Sequence, residues 1–455
     1  VEVETGRILA IGSHPGPDPN LLTGRLTRDE WERLNTDPFR PLLDKSLREN
    51  YYPGSTFKIV PALAALEERL VNPEEKVVCR GRYDLGKRAF HCMKSHGPMT
   101  MHDALVQSCN VYFYHLAEKV GAERMARVAH QFGFGRVSGV GLGEVAGFVP
   151  TMEYYRTHGG FRLGDALNTA LGQGSVKLTV LQLAMAYAAL ANGGKLFQPL
   201  IIDRVETPQG LVVEQFSPRL RNMIDASPES LERLRRALHG VVNDQKGTSF
   251  TARVETLDVA GKSGTAQVRK NRRGESAGWD LANSHAWFVG FAPSRRAKIA
   301  VAVLVEHGGL GGHVAAPTAT RIIQGYFNQI APENDLKWQL IHPRPSPDGY
   351  DFGPADAFVE FGLKHNQYLI GHTLVWHGQT PSWVFQGTNP PPVLNLRLPT
   401  PGRSASFPAC SRPTACIWAI IWVRSAIGCA CRRNMSASSA SSTCMRLPFG
   451  RSPRI

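Results

Sequence analysis

The 455-residue sequence predicts an α+β fold, with two helical stretches followed by three strand-like runs. From Ser55 to Leu70, apolar Phe57, Val60, Leu63, Ala64 and Leu66 recur at threes and fours, the spacing of one helix face. Met101 to Val120 repeats the pattern through Leu105, Cys109, Phe113, Leu116 and Val120. Three extended runs follow, 259–268, 285–291 and 298–306, separated by polar and glycine-containing segments. With 42% hydrophobic and 20% charged residues the chain has an ordinary globular balance and length for two or three domains.

In chain order, Val1 to Ala10 reads as a hairpin with its alternation broken at Thr5-Gly6. It opens without Met or a charged lead into an apolar run, so the chain is read as starting mid-protein, with any signal or anchor absent. Tyr51-Tyr52-Pro53-Gly54 signals a turn into the first helix, and Pro61 is expected to bend that helix. Ser55 and Lys58 then fall one turn apart on the same side, within reach of each other. A serine hydroxyl becomes a nucleophile when a neighbouring base takes its proton. Lys58 can be that base if burial or nearby cations hold part of it neutral. Free N–H groups at the start of the helix suit charge developing on a carbonyl oxygen.

In the second helix, Ser108 and Asn110 flank a buried Cys109. Ser108 suits a proton relay between Lys58 and a leaving group, and Asn110 a hydrogen bond to a substrate amide. The first strand carries Lys262-Ser263-Gly264-Thr265, with Gly261 and Gly264 removing side chains where another backbone approaches. A peptide can add along such an edge, with Lys262 and Thr265 meeting its terminal carboxylate and the Thr265 N–H joining that of Ser55 as an oxyanion hole. Each string also has a plain reading: a capping Ser with a solvated Lys, an exposed Ser and Asn, a glycine-rich edge strand.

The formal charge of +14 does not point to nucleic acid. Nine arginines, with no Lys, Asp or Glu, lie between Gly387 and Ile455, so most of the basicity belongs to the tail. That tail also holds Cys410, Cys416, Cys429, Cys431 and Cys444, is rich in Ser, Pro and Ala, and has no sustained period. It reads as disordered or out-of-frame sequence, with a basic interaction tail as the alternative. The apolar run Ile417 to Val423 is far shorter than the roughly 20 residues that cross a bilayer.

Together the S-x-x-K, S-x-N and K-[ST]-G strings form the set already generalised for penicillin-binding proteins and class A β-lactamases. Residues 1–327 resemble the transpeptidase domain of a class B penicillin-binding protein of the elongation type, through four linked blocks. These are Tyr52-Pro53-Gly54-Ser55-Thr56-Phe57-Lys58, Gln107 to Tyr114, Leu171-Gly172-Gln173-Gly174 and Ala286 to Pro293, with Val305-Glu306-His307-Gly308-Gly309 beyond them. The resemblance implies the penicillin-binding transpeptidase and serine β-lactamase-like fold, an α/β sandwich with a central antiparallel sheet flanked by helices. It implies acylation of Ser55 by a peptidoglycan stem peptide ending in D-Ala-D-Ala, loss of D-alanine, and release to an acceptor amine, with β-lactams trapping the same serine. Lys58, Ser108, Asn110 and Lys262 would be catalytic, and Ser263, Gly264 and Thr265 would bind substrate. No cofactor and no metal are expected for this chemistry. A D,D-carboxypeptidase, a β-lactamase or a non-catalytic penicillin sensor of the same fold is the alternative. The family's membrane anchor and non-catalytic pedestal are not seen ahead of the domain, and Ser263 stands where Thr is common. The resemblance places the family on the periplasmic face of the inner membrane, with a cell-wall elongation complex as partner.

Cys79 and Cys92 flank a glycine-containing stretch, and a disulfide between them would stabilise by about 3 kcal/mol on the chain-entropy account. Metal binding with His91 and His96 is the rival. From Gln329 a second resemblance begins, to a glycoside hydrolase family 10 xylanase, carried by Pro332 to Trp338, Gly349 to Phe352, Ala355 to Phe361 and Gly371 to His377. In that family Glu333, Asn334, Lys337, His372 and Trp376 would line the sugar site. The segment 328–386 is too short for an eight-fold barrel of about 250 residues and lacks the later strands that carry both carboxylates, so it is expected to be inactive. The expected organisation is therefore a transpeptidase domain over 1–327, a partial barrel over 328–386 and a tail over 387–455.

Overall fold

The structure, a computed structural model, describes residues 1–207, 209–267 and 284–327 and the dipeptides Gln329–Ile330 and Tyr368–Leu369. The chain divides into two compact units, Val1–Phe327 and Asn328–Ile455. In the second, Gln329–Ile330 pairs in parallel with Tyr368–Leu369. The sugar-site candidates Glu333, Asn334, Lys337, His372 and Trp376, and the tail, lie outside the described residues.

The first unit is built on an antiparallel sheet of three strands in a meander. The motif strand Ala260–Gln267 pairs with the central strand Ser284–Ala292, which pairs with the far strand Ile299–Val305. The chain's first residues extend the far side: Glu2 bridges to Ile299, Val3 N–H donates to Lys298 O at 2.8 Å, and Ala300 N–H donates to Val1 O at 2.8 Å. The expected N-terminal hairpin is a tight turn, closed by Glu2 N–H on Arg7 O at 2.8 Å.

Every residue of the central strand is buried. Its odd positions Trp287, Val289 and Phe291 enter the large core, and its even positions Ala286, Phe288 and Ala292 enter a smaller one. This is the period-two alternation of a sheet covered on both sides. The core helix Val180–Ala191, apolar nearly all round, belongs to the large core. Ala315, Ala316, Ala319 and Ile323 of the helix Ala315–Phe327 form the small one with Val242 from the end of Pro228–Asn243. The α/β sandwich expected from the sequence is the fold observed.

Two helices differ from expectation in ways that shape the site. The stretch beginning at Ser55 starts as a 3-10 turn, Gly54–Lys58, and becomes an α-helix only over Ile59–Glu67. Pro61 therefore lies in the first α-turn, where its missing N–H would have had no intrahelical partner, and no bend is needed. The stretch Met101 to Val120 is two helices, Met101–Val106 and Asn110–Gln131, because Ser108 adopts a left-handed φ of 56°. Cys109 caps the second helix and is fully buried, as its spacing implied.

Candidate active site

The 3-10 turn determines the first pair. With three residues per turn, side chains at i and i+3 eclipse, so Ser55 and Lys58 project from one side. The turn is wedged into place. Gly54 has φ 56°, and a Cβ there would lie 2.9 Å from Thr265 O and 3.4 Å from Thr265 N. A Cβ on Gly172 would lie 2.3 Å from Gly54 O, and Gly54 N–H donates to Gly172 O at 3.0 Å. Thr56 is held at both ends, its hydroxyl donating to Pro53 O at 2.8 Å and its carbonyl accepting from the buried Tyr187 hydroxyl at 2.9 Å. Ser55 is half-buried in this rigid turn.

Lys58 has no solvent exposure, and its ammonium donates to Ser108 O at 2.9 Å, Ser108 Oγ at 3.2 Å and Asn110 Oδ1 at 2.9 Å. Those three acceptors converge because of the left-handed Ser108: it turns its own carbonyl toward Lys58 while Asn110 begins the next helix. A non-glycine residue held at positive φ costs about 1 kcal/mol, which the surrounding contacts must offset. Among the described residues Lys58 holds this pair rather than the Ser55 hydroxyl. Phe113 lies beneath the ammonium, 5.1 Å from ring centroid to Nζ. Burial lowers the Lys58 pKa from 10.5 to about 8, against an opposing pull from Cys92 and Cys109.

The third string stands beside the turn. Gly264 is flush against it: a Cβ there would meet Pro53 O and Thr56 Cγ2 at 3.0 Å. Lys262 is fully buried with its ammonium on Ser263 O at 3.1 Å, and desolvation, then the Lys58 charge, pushes its pKa well below the ordinary lysine value. Ser263 Oγ shares a 2.7 Å hydrogen bond with Thr248 Oγ1. Thr265 is partly exposed on the motif strand, with its Oγ1 accepting from Gly311 N–H at 3.4 Å. Ser55, Lys58, Ser108, Asn110, Lys262, Ser263, Gly264 and Thr265 thus gather around one place in the fold.

Sequence reasoning missed Thr248, Tyr187 and Phe113, whose contacts are long-range or ordinary-looking in the sequence. Of the two readings of the cysteines, the arrangement favours the metal-binding one. Cys79, Cys92 and Cys109 are free thiols rather than a Cys79–Cys92 disulfide. Their sulfurs and a ring nitrogen of His96 lie within 4.8 Å of one another. The expectation of no metal site therefore changes: three thiols and an imidazole are a donor set that takes a thiophilic divalent ion such as zinc. The helical spacing marks Cys109 only as core, and the break at Ser108 is what brings it to the loop. His91, the other candidate, instead offers its carbonyl to Asn110 Nδ2 at 3.3 Å and to the Tyr114 hydroxyl at 3.2 Å. The cluster abuts the second string, since Asn110 N–H donates to Cys92 Sγ at 3.1 Å. Hydrogen bonding from Cys109, helped by the Val111 and Asn110 N–H groups, holds the Cys92 thiol well below the ordinary thiol value.

Comparison with known proteins places this geometry. The sequence profile of the penicillin binding protein transpeptidase domain matches residues 1–324, and that of glycosyl hydrolase family 10 matches residues 293–398. The chain is 32% identical over 340 residues to the peptidoglycan D,D-transpeptidase MrdA of Haemophilus influenzae, covering 72% of this chain and 52% of that protein. It is 33% identical over 326 residues to MrdA of Acinetobacter baumannii, with coverage of 69% and 48%. The chain thus spans about half the length of these relatives. Among solved structures, PBP2 of Pseudomonas aeruginosa in complex with WCK 5153 superposes with a TM-score of 0.63 at 32% identity, covering 72% of this chain and 69% of that one. A ceftriaxone acyl-enzyme complex of penicillin-binding protein A from M. tuberculosis gives 0.63 at 27% identity, covering 71% and 72%. On its three strings, its sandwich fold and these matches, the chain belongs to the penicillin-binding protein transpeptidase family.

Proposed function

We propose that this chain is a peptidoglycan D,D-transpeptidase that works through a Ser55 acyl-enzyme. The observation that carries this reading is the buried Lys58, lowered to about 8 and held between the nucleophile turn and the Ser108/Asn110 pair. As a neutral amine Lys58 keeps two N–H donors for Ser108 and Asn110 and has one lone pair free for the Ser55 hydroxyl. Lys58 then takes the Ser55 proton as Ser55 Oγ attacks the carbonyl between the two D-alanines. The developing oxyanion meets the N–H groups of Ser55 and Thr265. The proton passes through Ser108 to the leaving nitrogen, D-alanine departs, and the stem peptide remains as an ester on Ser55. An acceptor amine attacks that ester, the amide forms, and Ser55 recovers its proton.

Asn110 would hold the substrate amide, and the peptide would lie along the motif strand with its carboxylate near Lys262 and Thr265. An arriving carboxylate restores the charge on a lysine that burial has driven toward neutrality. β-Lactams would acylate the same serine, as in the acyl-enzyme complexes of the M. tuberculosis relative. In a full-length protein the domain would act at the periplasmic face of the inner membrane within a cell-wall elongation complex. A structure of Helicobacter pylori PBP2 with MreC supports that partner class. The domain division at 327 and 386, with an inactive barrel fragment and a tail beyond it, belongs to the same reading.

The test is labelling with a fluorescent penicillin, with and without Ser55→Ala. Label on the wild-type protein and none on the variant is expected, and retained label would mean a different nucleophile. Rapid turnover of a chromogenic β-lactam would instead favour a β-lactamase.

A further inference from the structure

Glu306 opens the loop that follows the far strand, and the mechanism above leaves it unused. Its carboxylate collects three groups from the segment leading to the nucleophile: the buried Lys45 ammonium, the Tyr51 hydroxyl at 2.8 Å and the Arg40 guanidinium at 3.8 Å. Burial alone would raise the Glu306 carboxyl, but hydrogen bonds from Lys45 and Tyr51 and the Lys45 charge outweigh it and keep the group ionised.

The loop that Glu306 begins lies against both the motif strand and the central strand. Gly309 N–H donates to Ser284 O at 3.0 Å, Gly311 N–H donates to Thr265 Oγ1 at 3.4 Å, and a Cβ on Gly311 would be 2.2 Å from both Gly264 O and Trp287 O. Tyr51, on the other side of the carboxylate, exchanges backbone hydrogen bonds with Leu178 at 2.9 and 2.8 Å and stands edge-on to Trp287. Three residues later the chain reaches Gly54 against Thr265. One carboxylate therefore joins the approach to Ser55 with the loop seated over Thr265.

We infer that Glu306 is a positioning residue, whose ties to Tyr51 and Lys45 hold the spacing between the Ser55 and Thr265 N–H groups. This rests on the acyl-enzyme reading. A misplacement of 1 Å at such a site costs about 10²-fold in rate, so a partial loosening is readily measured.

The experiment is rapid-mixing acylation of the full chain by a fluorescent penicillin, resolving the non-covalent Kd, the first-order acylation constant and the final label per protein. Tyr51→Phe removes one hydrogen bond and leaves the charge pair intact. Glu306→Gln keeps the shape but leaves the Lys45 charge without its counter-ion, so Tyr51→Phe decides the matter if that variant does not fold. The acylation constant is expected to fall about fivefold or more in Tyr51→Phe, with Kd within about twofold and labelling complete. Glu306→Asp is expected to recover part of the loss seen in Glu306→Ala. An unchanged acylation constant in Tyr51→Phe overturns the inference, as does a loss seen only as a smaller labelled fraction. Wild-type protein that takes no label overturns the acyl-enzyme reading and this inference with it.

Discussion

If Lys58 is the base, acylation must follow its titration. The ammonium sits at about 8 in place of 10.5, chiefly because burial disfavours its charge. At pH 7 about one molecule in ten then carries the neutral amine, against about one in three thousand for an ordinary lysine. Burial therefore multiplies the neutral amine roughly 300-fold, a gain that the weaker basicity of the shifted amine offsets only in part. The sign is fixed by which form acts: the neutral amine grows as pH rises, so the rate should climb nearly tenfold from pH 6 to 7 and level off above about 8. Stopped-flow acylation with a chromogenic cephalosporin between pH 6 and 9 measures this directly. Lys58→Arg should lose at least about 10²-fold, since a guanidinium does not give up its proton in this range. A flat profile across that range, or an arginine variant within a few fold of wild type, would remove Lys58 as the base.

Gly54→Ala should destabilise the unit by about 1–3 kcal/mol, seen as a lower Tm, because φ is 56° and the new methyl meets Thr265 O at 2.9 Å. The same variant should slow penicillin labelling, whereas an unchanged Tm would contradict the packing described. Tyr187→Phe leaves the buried Thr56 carbonyl without its partner and should cost about 1–2 kcal/mol in denaturant unfolding. The thiol and imidazole cluster should take up about one equivalent of zinc on dialysis, with a chelator then lowering Tm and Cys92→Ser losing the ion. Protein that retains no metal after dialysis would rule that site out.

What the sequence disclosed depended on how local the determinant was. Ser55 and Lys58 are three residues apart, so almost any right-handed turn brings them to one side, and replacing the expected α-helix with a 3-10 turn did not disturb the pair. The strands were legible because the central and far strands are short apolar runs and the motif strand carries Gly261 and Gly264 at its close approaches, and their order follows from a simple meander. Ser108 was found, but its left-handed φ was not, because a serine carries no local mark of positive φ when tertiary contacts impose it. The cysteine cluster depends on that same break in the helix. Glu306 was visible as part of a block, yet its partners Lys45 and Tyr51 are more than 250 residues away, and no periodicity reports such a pair.

The central strand Ser284–Ala292 has no face turned to water. Any substitution along it is felt by one of two packed interiors, so on the acyl-enzyme reading lowered β-lactam affinity with retained peptide turnover has little room to arise there. Drug-resistant variants would then have to collect on the rim of the cleft, outside this strand and the motif residues, where a side chain can change without moving the scaffold.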